Sequence, residues 1–155
     1  MIAVRDAHLL EACFGRWPDF RGAEVSGIRL IAPLRQLEVD IEVVELFVDS
    51  HGIYRDRQRC LTIFGFANVL GAHSALFEPF RHGRVIDGLE ITSRDAGAPT
   101  NSDAWGERQC RVRLLPTPGF PEAQFFCDEV TVLRATSISR AISYVAPFVK
   151  PMSKE

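Results

Sequence analysis

The sequence feature that most constrains the fold is a run of strict alternation from Leu37 to Val43. Residues 37, 39, 41 and 43 are apolar, whereas the three residues between them are acidic. Because successive side chains of a β-strand point to opposite faces of the sheet, this period places all the apolar residues on one face. We therefore predict a half-buried antiparallel strand that continues to Val48, with a bulge at Val43-Val44 where the alternation breaks.

Further runs of apolar and β-branched residues predict additional strands. They span 23–31, 60–70, 85–92, 109–114 and 125–135, and stretches rich in polar residues, glycine or proline separate them. The run 60–70 is apolar on both faces, which favours a central position in the sheet. A short helix is predicted over 6–15, with Asp6 as its N-cap and Gly15 at its C-terminal end.

The segment after Ser137 fits either a strand or a helix, and the spacing of its apolar residues favours the helix. The predicted fold class is therefore mainly β, with α+β as the alternative. We expect an antiparallel sheet or sandwich of about six to eight strands, with a short N-terminal helix and a possible C-terminal helix. A chain of 155 residues without internal repeats fits a single domain, 1–155.

Charge and hydropathy exclude several classes of protein. The 18 basic and 20 acidic residues give a formal net charge of −2, so we expect no nucleic-acid partner, which would need a concentrated basic surface. No apolar run approaches the roughly 20 residues of a membrane helix, and the N-terminus does not resemble a signal peptide. The four cysteines, Cys13, Cys60, Cys110 and Cys127, are interpreted as buried thiols of a cytoplasmic protein and not as a disulfide framework.

Motifs for catalysis or metal binding are weak. The sequence contains neither Gly-x-Ser-x-Gly, nor Cys-x-x-Cys, nor a glycine-rich phosphate loop, and its four histidines are scattered. Asp49, His51 and Asp56 could converge on a cation, but a solvated hairpin tip is the better interpretation. We therefore predict that the chain is not an enzyme and that it needs no cofactor and no metal.

Two stretches resemble a known family. Residues 17–25 match the pattern Trp-Pro-x-Phe-x-x-Ala-Glu-Val, and Phe125-Phe126-Cys127 precedes a β-rich run. Both are similar to the opening and closing strands of the immunity protein 50 family of bacterial polymorphic toxin systems. This chain has Arg21-Gly22 where the family has His-Asp, so no role of that pair carries over. The resemblance implies a cytoplasmic protein that neutralises a cognate protein toxin by binding it.

The acidic face of the predicted strand is a candidate binding surface, with neighbouring carboxylates about 6.5–7 Å apart along the strand. One interpretation is a solvated face whose charges pair across strands, with Arg111 and Arg113 as possible partners. The other is a docking surface for a basic toxin, because complementary charge accelerates association. The candidate partner-binding residues are Glu38, Asp40, Glu42, Glu45 and Asp49, and Trp105 in the loop 93–106 forms a second candidate patch.

Two other functions stay open at this point. One is a small-ligand-binding β-domain with a pocket between the sheet and the terminal helix, which a large apolar cavity would favour. The other is an enzyme of unrecognised type, which titratable groups clustered in a cleft would favour.

Overall fold

The structure is a computed structural model that describes residues 4–72, 77–80, 84–94, 106–118 and 122–138. These ranges are mainly β, as predicted. They contain one α-helix, a 3-10 turn at Glu78–Phe80 and seven strands: α1 (His8–Phe14), β1 (Glu24–Ile31), β2 (Gln36–Val48), β3 (Tyr54–Ala67), β4 (Arg84–Ser93), β5 (Cys110–Pro116), β6 (Ala123–Cys127) and β7 (Glu129–Ser137). The predicted C-terminal helix falls beyond residue 138, outside the described residues.

All seven strands belong to one antiparallel sheet. Their order across the sheet is β6-β5-β4-β1-β2-β3-β7. The longest ladder joins β2 to β3, and the junction of β1 with β4 is short, at Glu24–Val85 and Val25–Arg84. Four of the ladders contain register shifts, which increase the local twist and let a sheet curl.

The two strands at the ends of this order are consecutive in the chain. Asp128 alone separates β6 from β7, so the sheet must curl until its two ends approach each other. Main-chain hydrogen bonds join Leu70 and Phe126 reciprocally at 2.8 and 2.9 Å, and the Asp128 N–H donates to the Ala67 carbonyl at 2.9 Å. The prediction of one continuous strand over 125–135 is therefore wrong, because the chain passes at Asp128 from one end of the sheet to the other.

The concave side of the curled sheet holds the hydrophobic core. Alternate residues of β2 are buried, as the strict alternation predicts, and the facing positions of the other strands complete the core. A chain of edge-to-face and stacked aromatic contacts runs through it, in the order Trp17, Phe20, Phe64, Phe66, Phe125 and Phe77. The Trp-Pro corner at residues 17–20 thus contributes to the core.

Helix α1 packs against β3 and β7. Leu10 is its fully buried residue, and Gly15 ends it in the left-handed conformation, donating its N–H to the Glu11 carbonyl, as predicted. The predicted N-cap is wrong. Ala7 occupies that position, and no side chain caps the helix, because Asp6 adopts a positive φ of 58° and offers its main-chain carbonyl to Leu9 instead.

Two boundaries of the central hairpin also differ from the prediction. The alternating burial of β2 continues through Val43, and the register shift falls between Glu45 and Leu46 instead of at Val43-Val44. β3 begins at Tyr54 and not at residue 60 as predicted, so the turn that follows β2 is shorter than expected and Asp56 lies in the strand. Neither difference changes which residues of β2 face the core.

Candidate protein-binding surface

The convex face of β2 carries three of the predicted site residues. Glu38, Asp40 and Glu42 alternate with buried apolar residues and are partly exposed. Their Cα partners on β3 are Gly65, Ile63 and Leu61. These three positions also lie on the convex face, because the side chains of directly paired residues in antiparallel strands point to the same face of the sheet. The structure therefore brings these carboxylates together in one outward-facing row, as the alternation predicts.

Arg29 of β1 binds two carboxylates of this row. Its guanidinium donates to both oxygens of Asp40, at 2.7 and 3.0 Å, and to one oxygen of Glu38, at 3.2 and 3.3 Å. The hydrogen bonds to Asp40 outweigh desolvation and raise the pKa of Arg29 above its usual value. Gly27 makes room for this arrangement, since a Cβ there would lie 2.6 Å from Asp40 Oδ2.

The other carboxylates of β2 are also bound by arginines. Arg59 donates to Glu42 at 2.6 Å, and Arg16 donates to Glu45 at 3.0 Å. Each of the three carboxylates of the outward-facing row has an arginine partner, so the row is a set of ion pairs and not a uniformly anionic stripe. Glu45 is not part of the row, because it alternates with the outward-facing residues and pairs with Gln58 on the other face. This arrangement agrees with the interpretation of a solvated face with cross-strand pairs.

The predicted identity of those arginines is wrong. Arg111 and Arg113 belong to β5, which is separated from β2 by β4 and β1. Arg113 instead binds Glu122, at 2.6 Å, and Glu90 of β4, at 2.7 Å. Its hydrogen bonds hold the pKa of Glu122 below the usual range of a glutamate.

Asp49 differs from the other predicted site residues because its carboxylate organises a turn. One of its oxygens accepts hydrogen bonds from the main-chain N–H groups of His51 and Ile53, at 2.8 and 3.0 Å. This is the ordinary structural use of aspartate in a turn, and it ties Asp49 to the end of β2. Trp105, the remaining predicted residue, lies outside the described residues.

Beside the ion pairs lies an apolar strip that the sequence reasoning missed. It consists of Leu61, Ile63 and Leu133 on the convex face of β3 and β7. The first two are half-buried, and Leu133 is 41% exposed. Leu133 lies over Gly65, where a Cβ would come within 2.9 Å of its Cδ1. A signal was present, because β3 is apolar on both faces, but we attributed that pattern only to a central strand.

Residues suited to metal chemistry are dispersed in the part of the chain that the structure describes. No group of three or more His, Cys, Asp or Glu side chains there could hold a metal ion. His8 and His51 are exposed at separate places, and His73 and His82 lie outside the described residues. None of the helices among the described residues has the length and apolar character needed to cross a membrane.

Comparisons with family models, with curated proteins and with solved structures gave no match to this chain.

Proposed function

We propose that this chain is a binding protein that neutralises a cognate bacterial toxin through the convex face of β1, β2, β3 and β7. The observation that carries the proposal is the apolar strip, Leu61, Ile63 and Leu133, bordered by ion-paired charges on β1 and β2. Apolar residues surrounded by a polar rim are the usual composition of a protein–protein interface. The resemblance of residues 17–25 and 125–132 to an immunity protein family supports a toxin as the partner.

Most of the apolar strip lies on β3, a strand that is hydrogen-bonded to a neighbour on each side. β3 pairs with β2 on one side and with β7 on the other, and its opposite face carries Phe64 and Phe66 of the core. A surface fixed in this way requires little rearrangement on binding, which lowers the entropic cost of association. In the proposal, Leu133 is the central contact because it is the most exposed of the three residues of the strip.

The ion pairs take a different role from the one that the sequence suggests. Because Arg29 and Arg59 partly neutralise Glu38, Asp40 and Glu42, the row is a mixed-charge rim. Substitutions in such a rim alter the association rate and its salt dependence more than the affinity. Glu38, Asp40 and Glu42 therefore belong to the proposed rim. Glu45 and Asp49 lie outside the proposed rim, because Glu45 points to the other face of β2 and Asp49 follows the end of that strand.

Neutralisation is tested by expressing the product of the adjacent gene alone, to establish that it is toxic, and then together with this chain. We expect growth to be restored and the two proteins to co-purify as a stoichiometric complex. A Leu133→Asp variant should lose protection, whereas Leu34→Asp, at an exposed leucine outside the strip, should keep it. Co-expression that leaves the toxin fully active, with no complex formed, would remove this function.

A further inference from the structure

The four cysteines fall into two facing pairs. Cys13 of α1 lies opposite Cys60 of β3, and their sulfur atoms are 2.9 Å apart although the residues are 47 positions apart in sequence. Cys110 of β5 and Cys127 of β6 are direct cross-strand partners. The first pair includes a partly exposed thiol, whereas both members of the second pair are buried.

We propose that Cys13 and Cys60 are a reversible thiol–disulfide site that fastens α1 to β3 when it is oxidised. A disulfide has an S–S distance of about 2.05 Å, so the two sulfurs need to approach by only about 0.9 Å. Both side chains already point at each other across the interface of helix and strand. The bond would therefore join two elements that are already packed together.

The two thiols differ in a way that sets the order of the reaction. Cys13 is partly exposed, whereas Cys60 is fully buried, so an oxidant from solution meets Cys13 first. Burial, followed by the hydrogen bond with Cys13, raises the pKa of the Cys60 thiol to about 12. Cys60 thus stays protonated and unreactive until the neighbouring Cys13 sulfur becomes part of a mixed disulfide that it can attack.

The oxidant that fits this geometry is a low-molecular-weight disulfide such as glutathione disulfide. The Cys13 thiolate attacks one sulfur of that disulfide, forms a mixed disulfide and releases one small thiol, which takes up the proton that Cys13 lost. Cys60 then gives up its proton, attacks the Cys13 sulfur and expels the second small thiol. In total, two protein thiols are oxidised to one disulfide, and one small disulfide is reduced to two thiols.

Thr62 is placed to assist the second step. It is buried in the core, and its hydroxyl donates a hydrogen bond to the Cys60 sulfur at 3.7 Å. That hydrogen bond favours the thiolate form, and it opposes the effect of burial on the pKa of Cys60. Thr62 is therefore a positioning residue for the resolving cysteine.

The Cys13–Cys60 disulfide would stabilise α1, a helix that is marginal by itself. α1 has only seven residues and lacks a side-chain N-cap, so it depends on packing to remain helical. A cross-link that closes a long stretch of chain stabilises chiefly by restricting the unfolded state. For a chain of this size we expect oxidation to raise the Tm by about 10 °C.

The second cysteine pair provides an internal control. The hydrogen bond between Cys110 and Cys127 lowers the pKa of Cys110 and raises the pKa of Cys127, but both sulfurs lie in residues that are almost closed to solvent. Since exchange requires access to the attacking sulfur, we expect this pair to stay reduced. Oxidation should therefore remove two hydrogen atoms from the protein and not four.

The test is incubation of the folded full chain with mixtures of glutathione and glutathione disulfide, followed by alkylation, intact-mass measurement and peptide mapping. We expect one disulfide, mapped to Cys13 and Cys60, a rise in Tm, and reversal of both by dithiothreitol. Cys110→Ser should behave like the wild type. Cys60→Ser should stop at one glutathionyl group on Cys13, and Cys13→Ser should take up none.

The measurements on the wild-type protein can overturn the proposal by themselves, so the test does not depend on whether each variant folds. Four alkylatable thiols after equilibration with excess glutathione disulfide would contradict it. So would a disulfide that maps to Cys110 and Cys127 only, or a wild-type mixed disulfide on Cys13 that never resolves. A Cys60→Ser protein glutathionylated at a residue other than Cys13 would refute the assigned order of attack.

Discussion

Replacing Leu10 by alanine tests how α1 is held on the sheet. Leu10 is fully buried where α1 packs against β3 and β7. Deleting a buried leucine side chain costs about 2–5 kcal/mol, depending on how far the surroundings collapse into the cavity. Because α1 has only seven residues, it can shift to fill part of the space. We therefore expect a loss of about 2–3 kcal/mol in the free energy of unfolding, at the lower end of that range.

Leu9 provides a matched control in the same turn of the helix. It has the same side chain and the same helix propensity but is 37% exposed, so Leu9→Ala should cost less than about 1 kcal/mol. The assay is equilibrium unfolding in urea at 25 °C, followed by tryptophan fluorescence. Dithiothreitol is present throughout, so that no Cys13–Cys60 bond contributes. Equal losses for the two variants, or a loss below about 1 kcal/mol for Leu10→Ala, would refute the described packing.

Two further substitutions test the sheet. Gly65→Ala places a Cβ 2.9 Å from Leu133 Cδ1, so we expect a loss of about 1 kcal/mol in unfolding free energy that disappears in a Leu133→Ala background. A double-mutant cycle with no coupling would argue against this contact. The hydrogen bond from Arg113 lowers the pKa of Glu122 in the folded state. The stabilisation that this pair contributes is therefore fully present above the pKa of Glu122 in the unfolded chain, and it is lost as the pH falls through the lower pKa of Glu122 in the folded protein. In the Glu122→Gln variant, the free energy of unfolding should fall less on acidification than in the wild type, by under about 1 kcal/mol. An identical fall in both proteins would speak against the pair.

The elements that sequence reasoning predicted well are those that local patterns determine. The alternation from Leu37 to Val43 fixes which face of β2 is buried, because a strand has a period of two residues. Gly15 ends α1 because it can adopt a positive φ at little cost. In both cases the physical cause lies within a few residues of the feature that it explains.

The elements that were missed depend on contacts between distant parts of the chain. Apolar residues flank Asp128-Glu129 on both sides and suggest one strand, but the break at Asp128 arises from closure of the sheet, where Ala67 accepts the Asp128 N–H. The arginine partners of β2 follow from its neighbours in the sheet, and strand order is not visible in a local pattern. Nor does spacing in the sequence indicate that Cys13 and Cys60 meet.

The most direct test of the proposed binding surface is the dissociation constant of the toxin complex, measured by calorimetry for Leu133→Asp and Leu34→Asp. Both leucines are exposed, at 41% and 70%, so an added carboxylate should leave the fold intact, which circular dichroism verifies. We predict that Leu133→Asp weakens binding by at least about thirtyfold, as expected at a central contact, while Leu34→Asp changes it by less than about threefold. Unchanged affinity for Leu133→Asp, or equal losses for both variants, would contradict the assignment of this face.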